Sequence, residues 1–168
     1  MRTNKMLHTM KISELQLIFI EELKILLPHW KFIKSNRQFK LKQKNVIWYF
    51  HIACINHASD FYAVGSVSVE YIIENERVCS IGAELGNIEG SGQTRFAISN
   101  PIEAKLSAQQ LFAFFEKIGL VFLQRYSNPT EVISTLQKGG KEAMLISPII
   151  SLHQKQISSL TLHYVKNM

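Results

Sequence analysis

The residues that could do chemistry here are six histidines, two cysteines and a scatter of serines and carboxylates. A metal ion needs such groups to converge, and short motifs bring them together by fixed spacing. His8, His29, His153 and His163 follow no such spacing, and neither His-Glu-x-x-His nor Cys-x-x-Cys occurs. Cys54 and Cys79 lie inside apolar runs, where a thiol behaves as a small hydrophobe, so neither a disulfide framework nor a zinc site is expected. The glycine-rich stretch Gly86 to Gly92 lacks a following Lys-Ser or Lys-Thr and precedes a strand, so it reads as a hairpin loop and not as a phosphate cradle. No metal and no cofactor is expected.

The remaining chemical candidates are His51, Ser66 and Glu70. A histidine beside a serine can act as base to a nucleophile, with an acid to orient the ring. Whether these three residues meet depends on how the intervening strands pair, and therefore on the elements that carry them.

Those elements are legible as changes of period. Leu15, Ile18, Phe19, Leu23, Leu26 and Leu27 recur at helical spacing behind the capping-box pattern Ser13-Glu14-Leu15-Gln16, and Pro28 ends the run. From about 30 to 99 the period is two. Val46, Trp48, Phe50, Ile52 and Cys54 alternate with Ile47, Tyr49, His51 and Ala53, and a similar alternation runs from Phe61 to Ile73. Shorter strands are expected at Val78 to Leu85 and Gln93 to Ile98. After Pro101 the helical period returns. Ser107-Ala108-Gln109-Gln110 resembles a second capping box ahead of Leu111, Phe112, Phe115, Ile118, Phe122 and Tyr126. Asn128-Pro129-Thr130-Glu131 reads as the start of a further helix that stops at Gly139-Gly140. Short helices to about 166 complete the chain, with an amphipathic stretch from Ile149 to Tyr164. The chain therefore reads as a single α+β domain over 1–168: a helix at about 13–27, an antiparallel meander of five or six strands at about 30–99, and helices at about 107–166.

The hairpins fix a register. A tight turn at Lys44-Asn45 sets Leu41 opposite Trp48 and Phe39 opposite Phe50. A loop from His57 to Asp60 sets Cys54 opposite Ala63, Ile52 opposite Gly65 and Phe50 opposite Val67. Both choices bring apolar faces together, and a slip by one residue would invert every side chain. The other face then carries Gln38, His51 and Ser66 in one row, Lys40, Tyr49 and Ser68 in the next, and Lys42, Ile47 and Glu70 in the third. A flat strand pair offers no oxyanion hole and no cleft, so catalysis there is not expected. Mixed charge and aromatic rings fit a docking surface better. Lys40, Lys42, Tyr49, His51, Tyr62 and Glu70 are the candidate partner-binding residues.

Bulk composition narrows the classes further. With 168 residues, 46% hydrophobic and 19% charged, the chain can bury a core without staples. The net charge is +6, and Lys31, Lys34, Arg37, Lys40, Lys42 and Lys44 follow one another with no intervening acid. Such a run suits a nucleic acid, or keeps edge strands from aggregating. No secretory signal pattern opens the chain, and the apolar stretches Leu15 to Leu27 and Leu111 to Leu123 are short for a bilayer span. A cytoplasmic protein without a membrane partner is expected.

Trp30-Lys31-Phe32-Ile33-Lys34 with Arg37-Gln38-Phe39, the strand Val46 to Ile55, and Phe122-Leu123-Gln124-Arg125-Tyr126 leading into Asn128-Pro129 resemble a group of small bacterial α+β domains of unknown function. Some similar domains are immunity proteins that neutralise toxins of rival cells. The resemblance implies no catalytic residues and carries none over. The expectation is a non-enzymatic protein-binding domain, specifically an immunity protein (an antitoxin in the broad sense) that binds a toxin directly. The alternative is an accessory protein that binds nucleic acid or nucleotides through the Lys31–Lys44 run.

Overall fold

The computed structural model describes residues 10–151, so the expected helical segment beyond Ser151 lies outside the described residues. It is an α+β fold: an N-terminal helix, an antiparallel sheet and a helical C-terminal part. Helix α1 (Ile12–Leu26) buries Leu15, Phe19, Ile20 and Leu23 along one side. It starts ahead of the expected Ser13 cap. The Glu14 carboxylate accepts the Lys11 backbone N–H at 2.8 Å, so an acid on the third residue supplies the cap.

The sheet has six strands: β1 (Lys31–Ile33), β2 (Gln38–Lys42), β3 (Val46–Asn56), β4 (Phe61–Ile73), β5 (Glu76–Glu84) and β6 (Phe96–Ile98). The first five lie side by side in chain order, all antiparallel. The register is the one the apolar alternation dictates. Phe39 faces Phe50, Leu41 faces Trp48, Phe50 faces Val67 and Cys54 faces Ala63. The inner face thus gathers Phe39, Phe50, Ile52, Val67, Val69, Tyr71 and Ile81, all buried.

The glycine-rich stretch is not a hairpin loop. β5 and β6 both pair with β4, on the same edge and in the same direction, β5 beside Ser66–Ile73 and β6 beside Phe61–Ala63. Residues 85–95 are an excursion between two halves of one interrupted edge strand. The excursion opens with the short helix α2 (Leu85–Glu89), whose Leu85 is buried in the core. Gly86 is required there, because a side chain would meet the Gly92 carbonyl oxygen 1.8 Å away. The sequence showed the turn-forming residues but not that the chain returns to the same neighbour.

The long helix also starts earlier than Ser107. Asn100 caps α3 (Pro101–Phe114), its side-chain oxygen accepting the Glu103 N–H at 2.9 Å, with Pro101 in the first turn. Ser107 lies inside the helix, where its hydroxyl donates to the Ala97 carbonyl at 3.0 Å and ties α3 to β6. The helix runs on through a π-helical turn (Phe115–Gly119) into α4 (Leu120–Tyr126). At that wider turn Phe115 stacks on Phe50, ring centroids 4.3 Å apart. Gly119 allows the sheet to approach, with Val67 at 3.0 Å from where its Cβ would be. As one rod of 26 residues, Pro101–Tyr126 is long and apolar enough to cross a membrane, unlike the stretch Leu111 to Leu123 alone. In this fold its Leu111, Phe115, Leu123 and Tyr126 are buried in the core.

Two further helices follow. Asn128 caps α5 (Pro129–Lys138), as its sequence foretells, accepting the Thr130 N–H at 3.0 Å, and Gly139 ends it. In α6 (Gly140–Ser151), Glu142 pairs with Arg125, and Ile146 joins the core. Tyr71 is fastened to the helical layer by a hydrogen bond from its hydroxyl to the Tyr126 carbonyl.

Candidate functional site

The outer face of the sheet is the place where the chemically able side chains assemble. β-strand alternation puts Lys40, Tyr49 and Ser68 in one row, with Gln38, His51 and Ser66 above it and Lys42, Ile47 and Glu70 below. β5 extends each row, adding Glu84 beside Ser66, Gly82 beside Ser68 and Ser80 beside Glu70.

The polar groups of this face bond mainly to one another. The Tyr49 hydroxyl donates to Glu70 at 2.7 Å, and Arg77 approaches the same carboxylate oxygen at 3.6 Å. His51 Nε2 lies 3.3 Å from Ser68 Oγ, a diagonal neighbour, and not on the directly opposed Ser66. The Tyr49 and His51 rings stack at 5.8 Å, and the Lys40 ammonium sits 5.9 Å from the Tyr49 ring centre. Tyr49 is only 8% exposed, and Gln38, Ile47 and Val64 on the same face are also buried. This burial pushes the Tyr49 phenol up to about 12, reinforced by the Glu70 carboxylate that accepts its hydrogen bond. Burial likewise lowers His51, because an imidazolium there would lose its hydration.

A neutral imidazole against a serine is half of a nucleophile–base pair. Among the described residues no carboxylate hydrogen-bonds the other ring nitrogen of His51, and Glu70 is engaged by Tyr49 and Arg77. The arrangement therefore lacks the orienting group that such catalysis requires. No cluster of three or more His, Cys, Asp or Glu side chains able to hold a metal ion occurs among the described residues.

The six candidate residues fall into two groups. Lys40, Lys42, Tyr49, His51 and Glu70 share three adjacent rows. Tyr62 stands eight residues along β4 from Glu70, about 26 Å away at strand rise. Its ring is held between His57, edge-on at 4.6 Å, and Arg95 at 5.9 Å. Lys42 is exposed, whereas Lys40, His51, Tyr62 and Glu70 are half-buried.

Sequence reasoning missed two participants. Glu84 carries a buried carboxylate oxygen, Oε1, with no hydrogen-bond partner among the described residues, while its Oε2 is reached by Gln93 at 3.4 Å. The expected strand Val78 to Leu85 contains Glu84, but only the register of β5 on β4 sets it beside Ser66 on this face. The second omission is the end of the sheet beside α1, where a cavity of about 660 Å³ opens between helix and edge strand. Periodicity assigns α1 a buried side and says nothing of its flank.

Comparison with known protein families, with curated proteins and with solved structures finds no match to this chain.

Proposed function

We propose that the chain is a non-enzymatic protein-binding domain which holds a protein partner stoichiometrically in the cytoplasm, and specifically an immunity protein that neutralises a toxin by direct binding. One observation carries the binding reading: on the outer face Tyr49 bonds to Glu70 and His51 to Ser68, while the cations beside them make no ion pair among the described residues. Lys31, Lys34, Arg37, Lys42 and Lys44 are exposed. Among the described residues none of them makes an ion pair. Unpaired cations on a rigid sheet edge complement an acidic partner and speed its encounter. The toxin version rests on the resemblance of the strand and helix motifs.

The same cations favour a second reading, nucleic-acid binding. Against it, the Tyr49 ring that Lys40 approaches is buried and cannot stack on a base. The test is affinity purification of the tagged chain from its native cell at low and at high salt. A protein retained in equal amount through high salt supports the proposal. Nucleic acid that is lost as salt rises supports the second reading.

A further inference from the structure

The groove beside α1 has the chemistry of a peptide-binding site. Leu17, Ile20 and Phe32 form its apolar part. Leu17 is 60% exposed, although it is a large hydrophobic side chain on a rigid helix. Two contacts link the helix side of the groove to its strand side. Lys24 reaches over the Phe32 ring at 5.0 Å, and Arg37 donates to Gln16 at 3.4 Å.

The rim charges do not cancel. The acids lining the groove are already engaged, Glu21 with Lys24 at 2.6 Å and Glu14 with the Lys11 backbone. Lys34 and Arg37 have no acidic partner among the described residues. Arg37 is also held at φ 46°, a left-handed conformation that is unfavourable for a non-glycine residue. Its carbonyl accepts the Ile52 N–H at 2.9 Å, which pins the strained residue to β3. Beside it, β1 is the outermost strand, and among the described residues no strand pairs its far edge.

We propose that this groove docks an acidic peptide segment of the partner, with an apolar side chain against Leu17, Ile20 and Phe32 and carboxylates against Lys34 and Arg37. Charge complementarity selects this occupant: an apolar floor under two unpaired cations favours an acidic amphipathic chain and disfavours a basic or a purely polar one. The proposal deepens the protein-binding reading and rests on it.

The test uses the full chain and three labelled synthetic peptides: one of Glu, Leu and Phe, one with Lys in place of Glu, and one with Ser in place of Leu and Phe. The first should bind saturably in fluorescence anisotropy, and the other two at least about tenfold more weakly. Leu17→Glu and Lys34→Glu, both at exposed positions, should each weaken the first peptide about tenfold or more while circular dichroism stays unchanged. Lys138→Glu, at an exposed position at the end of α5 and outside the groove lining, should leave it unaltered. No binding of the first peptide at millimolar concentration, equal binding of all three, or undiminished binding by both groove variants would overturn the proposal. Capture from native cells separates its failure from that of the broader reading. A partner held equally by wild type and both groove variants removes the groove alone, and a wild type that holds no protein removes the binding function.

Discussion

The Tyr49 hydroxyl lies 2.7 Å from a Glu70 carboxylate oxygen, one diagonal step across the β3–β4 pair. This bond binds together two residues that the sequence offers as separate contacts for a partner. It also sets a pH limit. The phenol ionises near 12 in the folded chain, against an ordinary value of 10.0. Between those values the unfolded chain releases the proton and the folded chain keeps it, so stability falls as pH rises from about 10 to about 12. Chemical denaturation across that range should show the loss, about 1–3 kcal/mol for this group. Tyr49→Phe should cost about 1 kcal/mol at neutral pH and flatten that alkaline decline.

His51 sets the opposite limit. Its folded-state pKa is depressed below the ordinary 6.5 by burial. As pH falls below that value, the unfolded chain takes up a proton that the folded chain refuses, and stability declines until the folded imidazole itself titrates. His51→Gln should reduce this acid-side slope, as read by urea midpoints over the mildly acidic range. An unchanged slope would mean that His51 does not differ between the two states.

The core joint between sheet and helix is the stack of Phe50 on Phe115, with Gly119 beneath it. Phe50→Ala should cost about 3–5 kcal/mol, because a fully buried ring leaves a cavity among rigid neighbours. Gly119→Ala should cost about 1–3 kcal/mol by overpacking, since the added methyl would sit 2.7 Å from the Phe115 ring. Thermal unfolding of both variants measures the two effects independently.

Lys40→Glu with Lys42→Glu should leave the fold intact, because both point to the outer face and neither makes an ion pair among the described residues. Stopped-flow association with a captured acidic partner should slow, and the salt dependence of its rate should weaken.

Strand pairing was legible because burial of one face permits only one parity. Phe39, Phe50 and Val67 must share a side, and that parity together with the short hairpin connections places His51 beside Ser66 and Tyr49 beside Ser68. The tilt of a side chain is not in the pattern, so the diagonal contacts of Tyr49 with Glu70 and His51 with Ser68 were not legible. Helix starts were misplaced where the cap lay off the expected serine. Asn100-Pro101 is as good a start signal as Asn128-Pro129, but Ser107 competed with it, and only the contact of Ser107 with Ala97 shows that it belongs to the helix interior. The reunion of β5 and β6 on one edge of β4, and the groove between α1 and β1, depend on tertiary placement that no local period encodes.

The most direct test of the binding account is the composition of what the tagged chain retains from its native cell, weighed by native mass spectrometry after a high-salt wash. The account predicts a complex of this chain with one acidic protein in fixed stoichiometry, surviving the wash and dissociating at about nanomolar concentration or below. A chain that elutes alone, or with nucleic acid that the salt removes, would contradict it.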